Sequence, residues 1–308
     1  MQKREAHIGN GNVLDLRVRL TGSTIWVGPA WAVVCGAVAS GAPTRDWQSL
    51  VLLLLAVALA DPILGTAWSL ASSAVVASPR RAKANPGPSH SVPSLPYALP
   101  GSLADRLGQL VGERVSRWQL AAGQRAGESL LGLGFVSTLA VLLAAVLGVV
   151  PVLLVAAALA AAFARLVLGH ALGQLESVVA TAVLAGIPWL LGYAVFARPW
   201  GQEDWVGSAG ASLVWAATYA LAFHACALIA RDGLSSGARL LVLAHVAAIA
   251  VLILAKEPIL GGSVALLFLP QAMLQPLMLR LSDGRWYLRR VQVFTMLAML
   301  AMAVAMRA

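Results

Sequence analysis

The sequence predicts an all-α integral membrane protein of nine transmembrane helices. Three observations predict it: composition, the length of the apolar runs and the placement of the basic residues. Of 308 residues, 59% are hydrophobic and 11% charged, and mean hydropathy is +0.80. Ordinary soluble domains carry about 25% charged residues. A soluble core of this size could not hide so much apolar side chain, so a bilayer has to act as the solvent. Lipid gives backbone polar groups no partner outside the chain, which leaves helices or closed barrels. Leu, Ala and Val dominate, and the alternation of barrel strands is missing from the sequence.

Apolar runs lie near residues 23–41, 48–76, 129–150, 151–168, 176–196, 209–230, 237–255, 260–280 and 288–306. Most approach the ~20 residues needed to span. The stretch 129–168 is too long for one span, so it divides at Val150-Pro151, where Pro151 suits the first turn of a new helix. Residues 1–22 are expected to form a cytoplasmic segment. Residues 23–308 form a single transmembrane helical domain with a cytoplasmic loop over 77–125.

The charges test the count. With the N-terminus inside, the outer segments hold four of the 22 bases, Arg45, Arg198, Lys256 and Arg307, and the inner segments hold the other 18. A miscounted helix would flip every later segment and scramble this asymmetry. Nine spans, N-terminus in and C-terminus out, follow from it. The bases behind the net charge of +9 sit in short loops between apolar runs, which argues against nucleic acid as a partner. Trp47, Trp200, Trp205 and Trp286 fall near span ends, as an interfacial belt requires. The expected location is a bacterial-type inner membrane. No early apolar segment suggests a cleaved signal peptide. Cys35 and Cys226 lie within apolar runs and read as inert small hydrophobes.

The loop after the second run has its own character. Pro79, Pro86, Pro88, Pro93, Pro96 and Pro100 predict extended, irregular chain over 77–101. Ser102 then reads as an N-cap with Asp105 three residues on. Leu103, Leu107, Leu110, Val111, Val115 and Trp118 form an apolar stripe at helical spacing, opposite a charged face. This is a surface amphipathic helix, either a plain linker or a lid.

Few residues could carry chemistry. Of 13 acidic residues, only Asp61 lies well inside an apolar run, in Leu-Ala-Asp-Pro-Ile-Leu-Gly. An ionisable group there is costly and marks a functional site or a carboxylate held by a neighbouring polar side chain. Pro62 and Gly65 predict a kink or break beside it. At 1.5 Å per residue, Asp61 lies roughly 20 Å from the outer face, in the cytoplasmic third. Asp232 ends the sixth span on the same side. His224 and His245 could ligate a porphyrin metal or pass protons, but a His bonded to a neighbouring helix is the simpler reading. Glu176 reads as an interface residue. No Walker, zinc or nucleophile-elbow pattern is present, and no inverted repeat is visible.

These features resemble the UbiA superfamily of intramembrane prenyltransferases. The resemblance covers nearly the whole chain: the N-in nine-helix layout, the long loop after span two, Gly123–Gly134 at the entry to span three, Leu172–Glu176 with Ala185–Tyr193 in span five, and Trp286–Phe294 in the last. The family carries N-D-x-x-D-x-x-x-D and D-x-x-x-D motifs at the cytoplasmic ends of spans two and six. Asp61 matches the first Asp of the first motif, with Ala60, Leu64 and Trp68 at its other positions. Asp232 matches the first Asp of the second, with Ser236 at the other.

The resemblance implies Mg²⁺ held by Asp61 and Asp232 as catalytic groups, with Arg80, Arg81, Arg231 or Arg239 steadying a diphosphate. The implied reaction moves a prenyl chain from a prenyl diphosphate to an aromatic or tetrapyrrole acceptor. Two carboxylates stand where the family has five, and hard Mg²⁺ wants oxygen ligands, so activity is expected to be weak or lost. The alternative is a non-catalytic UbiA-like subunit of a larger membrane complex that binds a quinone, carotenoid or chlorophyll-like ligand. A third reading is a carrier coupled through Asp61, which broken helices in both halves of the chain would support.

Overall fold

The structure is a computed structural model, and it describes residues 27–41, 46–76, 125–168, 173, 175–197, 205–231 and 233–307. The proline-rich stretch, the expected amphipathic helix, Arg80, Arg81 and Asp232 lie outside the described residues.

The described chain forms helices and no strand: α1 (Pro29–Ala39), α2 (Trp47–Ala58), a π turn (Leu59–Leu64), α3 (Gly65–Val76), α4 (Arg125–Leu147), α5 (Val149–Leu168), α6 (Leu175–Thr181), a second π turn (Ala182–Gly186), α7 (Ile187–Phe196), α8 (Trp205–Ala230), α9 (Leu234–Leu254), α10 (Pro258–Leu281) and α11 (Gly284–Ala305). Each of the apolar runs read from the sequence holds a helix. Among the described residues, seven helices are long and apolar enough to cross a membrane. Two more, Pro29–Ala39 and Leu131–Leu147, are apolar but shorter. Large apolar side chains point outward at Leu254, 83% exposed, and Ile259, 82% exposed. Water would not tolerate so many of these, and lipid does. The protein is a multi-pass helical membrane protein.

The division of the long apolar stretch occurs as expected, with one adjustment. α4 ends at Leu147 and α5 begins at Val149, so the reversal falls on Gly148. Its φ of 126° is a backbone conformation open to glycine and little else. Pro151 then sits in the first turn of α5, where its missing N–H costs nothing. One glycine therefore replaces a polar loop.

Packing forms two halves around a central pair. One apolar cluster joins α2, the first π turn, α3, α4 and α5. Two others join α8, α9, α10 and α11. α1 and the α6–α7 helix contribute side chains to both halves, through Val33 and Leu191 on one side and Cys35 and Trp189 on the other. Small residues bring α1 and α7 together: Gly36 lies against the Trp189 carbonyl and Gly192 against the Val33 carbonyl. Without a hydrophobic force between helices in lipid, such close approach maximises dispersion contact. The Trp31 indole N–H donates to the Met296 carbonyl at 3.3 Å and ties α1 to α11.

Candidate functional site

Two prolines set the site. Pro62 has no N–H to return to the preceding turn, so the α ladder cannot close through it. The chain takes up the defect as the π turn Leu59–Leu64, and helix continues on both sides. The Thr66 hydroxyl donates to the Pro62 carbonyl. The expected kink beside Asp61 is thus a widened turn rather than a break. Pro188 stands just after the second π turn, Ala182–Gly186, for the same reason. The two π turns touch each other across the helix packing. The second was not read from the sequence, although Gly186-Ile-Pro188 inside an apolar run is its signal.

Asp61 occupies the first π turn and is half-buried. Among the described residues it has no hydrogen-bond or ion-pair partner. Leu64, at the second carboxylate position of the resembling motif, is buried. Trp68, at the third, is also buried, and the Arg165 guanidinium lies over its ring at 4.7 Å from the centroid. Arg165 in turn pairs with Glu176 at the start of α6. A cation over an indole face is attracted by the ring quadrupole, most strongly where water is scarce. Here, then, a guanidinium paired with Glu176 is laid over the Trp68 ring. Arg165 is the residue that sequence reasoning counted only as a charge; its place in an otherwise uncharged span is the signal.

Polar groups from α6 and α8 line up beyond it. The Thr181 hydroxyl donates to the Ser177 carbonyl at 2.8 Å and accepts from His224 Nδ1 at 2.8 Å. His224 is therefore bonded to a neighbouring helix, as the simpler reading held. Arg231, exposed at the end of α8, lies within electrostatic range of both Arg165 and His224. Arg239 is exposed near the start of α9. Of the predicted site residues, the structure places Asp61, Arg231 and Arg239, while Arg80, Arg81 and Asp232 lie outside the described residues.

The fit to Mg²⁺ can be tested on these groups. Among the described residues, nowhere do three His, Cys, Asp or Glu side chains gather to hold a metal ion. Asp61 is the single carboxylate at the first motif, and a hard dication needs several oxygen donors. The described residues do not form an Mg²⁺ site.

His245 belongs to a separate buried network. Its Nδ1–H donates to the Leu241 carbonyl at 2.8 Å, so Nε2 is left to accept from the Gln271 amide at 3.1 Å. The same amide nitrogen donates to the Leu267 carbonyl at 3.2 Å, which fixes the amide orientation. Gln271 Oε1 accepts from the Thr295 hydroxyl at 3.0 Å, and the Tyr287 hydroxyl donates to the Gln271 carbonyl at 3.1 Å. Phe268 stacks on the imidazole at 4.8 Å. Satisfied on both nitrogens and closed in by apolar side chains, His245 is a structural group linking α9, α10 and α11.

No protein-family model, curated protein or solved structure matches this chain.

Proposed function

We propose that this chain is a UbiA-like intramembrane protein that binds an isoprenoid-type lipid, with prenyl transfer weak or lost. The proposal includes nine spans, N-terminus in and C-terminus out, in a bacterial-type inner membrane. The two shorter apolar helices and the 18-to-4 charge split support that count.

The observation that carries the reading is Arg165 over Trp68. Paired with Glu176 and laid over the indole, its guanidinium can offer hydrogen-bond donors to an electron-rich head group where the resembling motif would place a carboxylate. Asp61, unpaired among the described residues, supplies the second polar determinant. An intramembrane carboxylate kept without a partner points to a bound ligand or a moving proton. The lipid-facing apolar helices would receive the chain of the ligand. A quinone, carotenoid or prenyl diphosphate each fits that description, and subunits of a larger complex could share it.

The test is to reconstitute the full chain and titrate it with labelled prenyl diphosphate and with a quinone, each with and without Mg²⁺. Saturable binding that does not need Mg²⁺, with little or no transfer to aromatic acceptors, is the expected result. Mg²⁺-dependent turnover abolished by Asp61→Ala would instead establish a working prenyltransferase. Failure of every isoprenoid to bind would sink the reading.

A specific observation favours a second reading, a carrier coupled through Asp61. Among the described residues two π turns stand beside prolines, one in each of two helices, and they touch each other. Such turns free backbone carbonyls that a cation or proton path can use. Proton flux into sealed vesicles that is lost in Asp61→Asn would select it over lipid binding.

A further inference from the structure

α11 enters the membrane region through a cluster of three arginines. Arg285 and Arg289 are four residues apart and so share one helix face; Trp286 and Arg290 share the adjacent one. The three arginine side chains are exposed, while Tyr287, Leu288 and Val291 are buried against α8, α9 and α10. With Asp283 they line a groove of about 600 Å³. Arg290 is positioned by its neighbour, its guanidinium 4.2 Å from the Trp286 ring centroid. Asp283 does not neutralise the cluster fully, since three guanidinium groups stand against one carboxylate. That carboxylate is engaged as the N-cap, accepting from the Trp286 backbone N–H at 2.9 Å.

The same exposed face continues down the helix in another character. Val293 follows Arg289 by four residues and Leu297 follows Val293 by four, and both are exposed; Val304 continues the apolar face further along. One face of α11 therefore reads cationic at its end and apolar along its length. This is the profile of an amphiphile: a phosphate, then an acyl chain. Trp286 lies among the arginines, where an indole suits the head-group level of the membrane.

We propose that this face of α11 binds an anionic phospholipid, its phosphate in the Arg285–Arg289–Arg290 groove and an acyl chain along Val293 and Leu297. Free phosphate would use the groove alone. A lipid uses the groove and the stripe together, and the continuity of the two commits the site to lipid.

The test uses Trp286 as reporter. The full chain is reconstituted in phosphatidylcholine vesicles containing a graded fraction of phosphatidylglycerol brominated near the glycerol end of its chains. The Trp286 share of the fluorescence is isolated by subtracting the W286F protein. Quenching should reach half-maximum at a severalfold lower fraction of brominated phosphatidylglycerol than of brominated phosphatidylcholine. R289Q alone should lower that preference, and removal of all three arginines should bring it to unity. R307Q, an exposed base elsewhere, should leave it unchanged, and excess inorganic phosphate should not abolish it. Equal quenching by the two lipids would overturn the proposal. So would loss of the preference in phosphate, which would mean a free-anion site, or its survival in R285Q/R289Q/R290Q protein with a native circular dichroism spectrum.

Discussion

Gly36 and Gly192 hold α1 and α7 in backbone contact. A Cβ at Gly36 would stand 2.0 Å from the Trp189 carbonyl oxygen, and one at Gly192 would stand 2.1 Å from that of Val33. Neither helix can yield without moving backbone. Gly36→Ala and Gly192→Ala should each destabilise the protein by about 3 kcal/mol or prevent its folding. Gly134→Ala, at an exposed helical glycine with open space around it, should be neutral or stabilise by up to about 1 kcal/mol. Thermal unfolding in detergent, read by circular dichroism, separates the two classes. Equal effects at all three positions would refute the close approach.

Gln271 is the hub of the buried network, with its donors and its acceptor engaged. Gln271→Leu leaves His245 Nε2 without its donor, and should cost about 1–3 kcal/mol. A double-mutant cycle with His245→Phe should return a coupling of about 1 kcal/mol, the scale seen for hydrogen bonds between helices in membranes. No coupling would mean that the amide and the imidazole do not meet.

Arg165 and Glu176 should likewise be coupled. Arg165→Met strands the Glu176 carboxylate, and Glu176→Gln weakens the hold on the guanidinium. Because both side chains are partly exposed, the coupling should be modest, about 1 kcal/mol, with the double variant more stable than the sum of the singles implies. Additive losses in thermal stability would remove the pair from the site.

Asp61 should behave in the opposite way. A half-buried carboxylate without a described partner costs stability in a membrane, so Asp61→Asn should fold at least as well as the wild type. Its loss should appear in function, as a tenfold or greater fall in binding of an isoprenoid ligand. Unfolding measurements alongside ligand titration check both halves. A variant that unfolds while ligand affinity per folded molecule is unchanged would assign Asp61 a structural role.

The proposed orientation is open to direct labelling. Cys35 and Cys226 are buried, so the native thiols should give little background. Ala255→Cys and Ser282→Cys place thiols on exposed turns at opposite ends of α10. An impermeant maleimide applied to intact cells should label the first from outside and the second only after permeabilisation. The reverse pattern would invert the topology.

What the sequence by itself determined was local. Helix-length apolar runs, the reversal near Pro151 and the disturbance at Asp61-Pro62 each depend on a few neighbouring residues, and all were legible in order along the chain. What the tertiary structure decided was pairing across distance. The meeting of the two π turns, the contact of Gly36 and Gly192 with the opposing helices, the stacking of Arg165 on Trp68 and the bond from His245 to Gln271 join helices far apart in the chain. In a lipid-solvated bundle nearly every face is apolar, so hydrophobic pattern does not reveal which face meets which helix. Helix existence follows from the need to satisfy the backbone within each segment. Helix partnership follows from shape and a few polar contacts, and those exist only once the bundle has assembled.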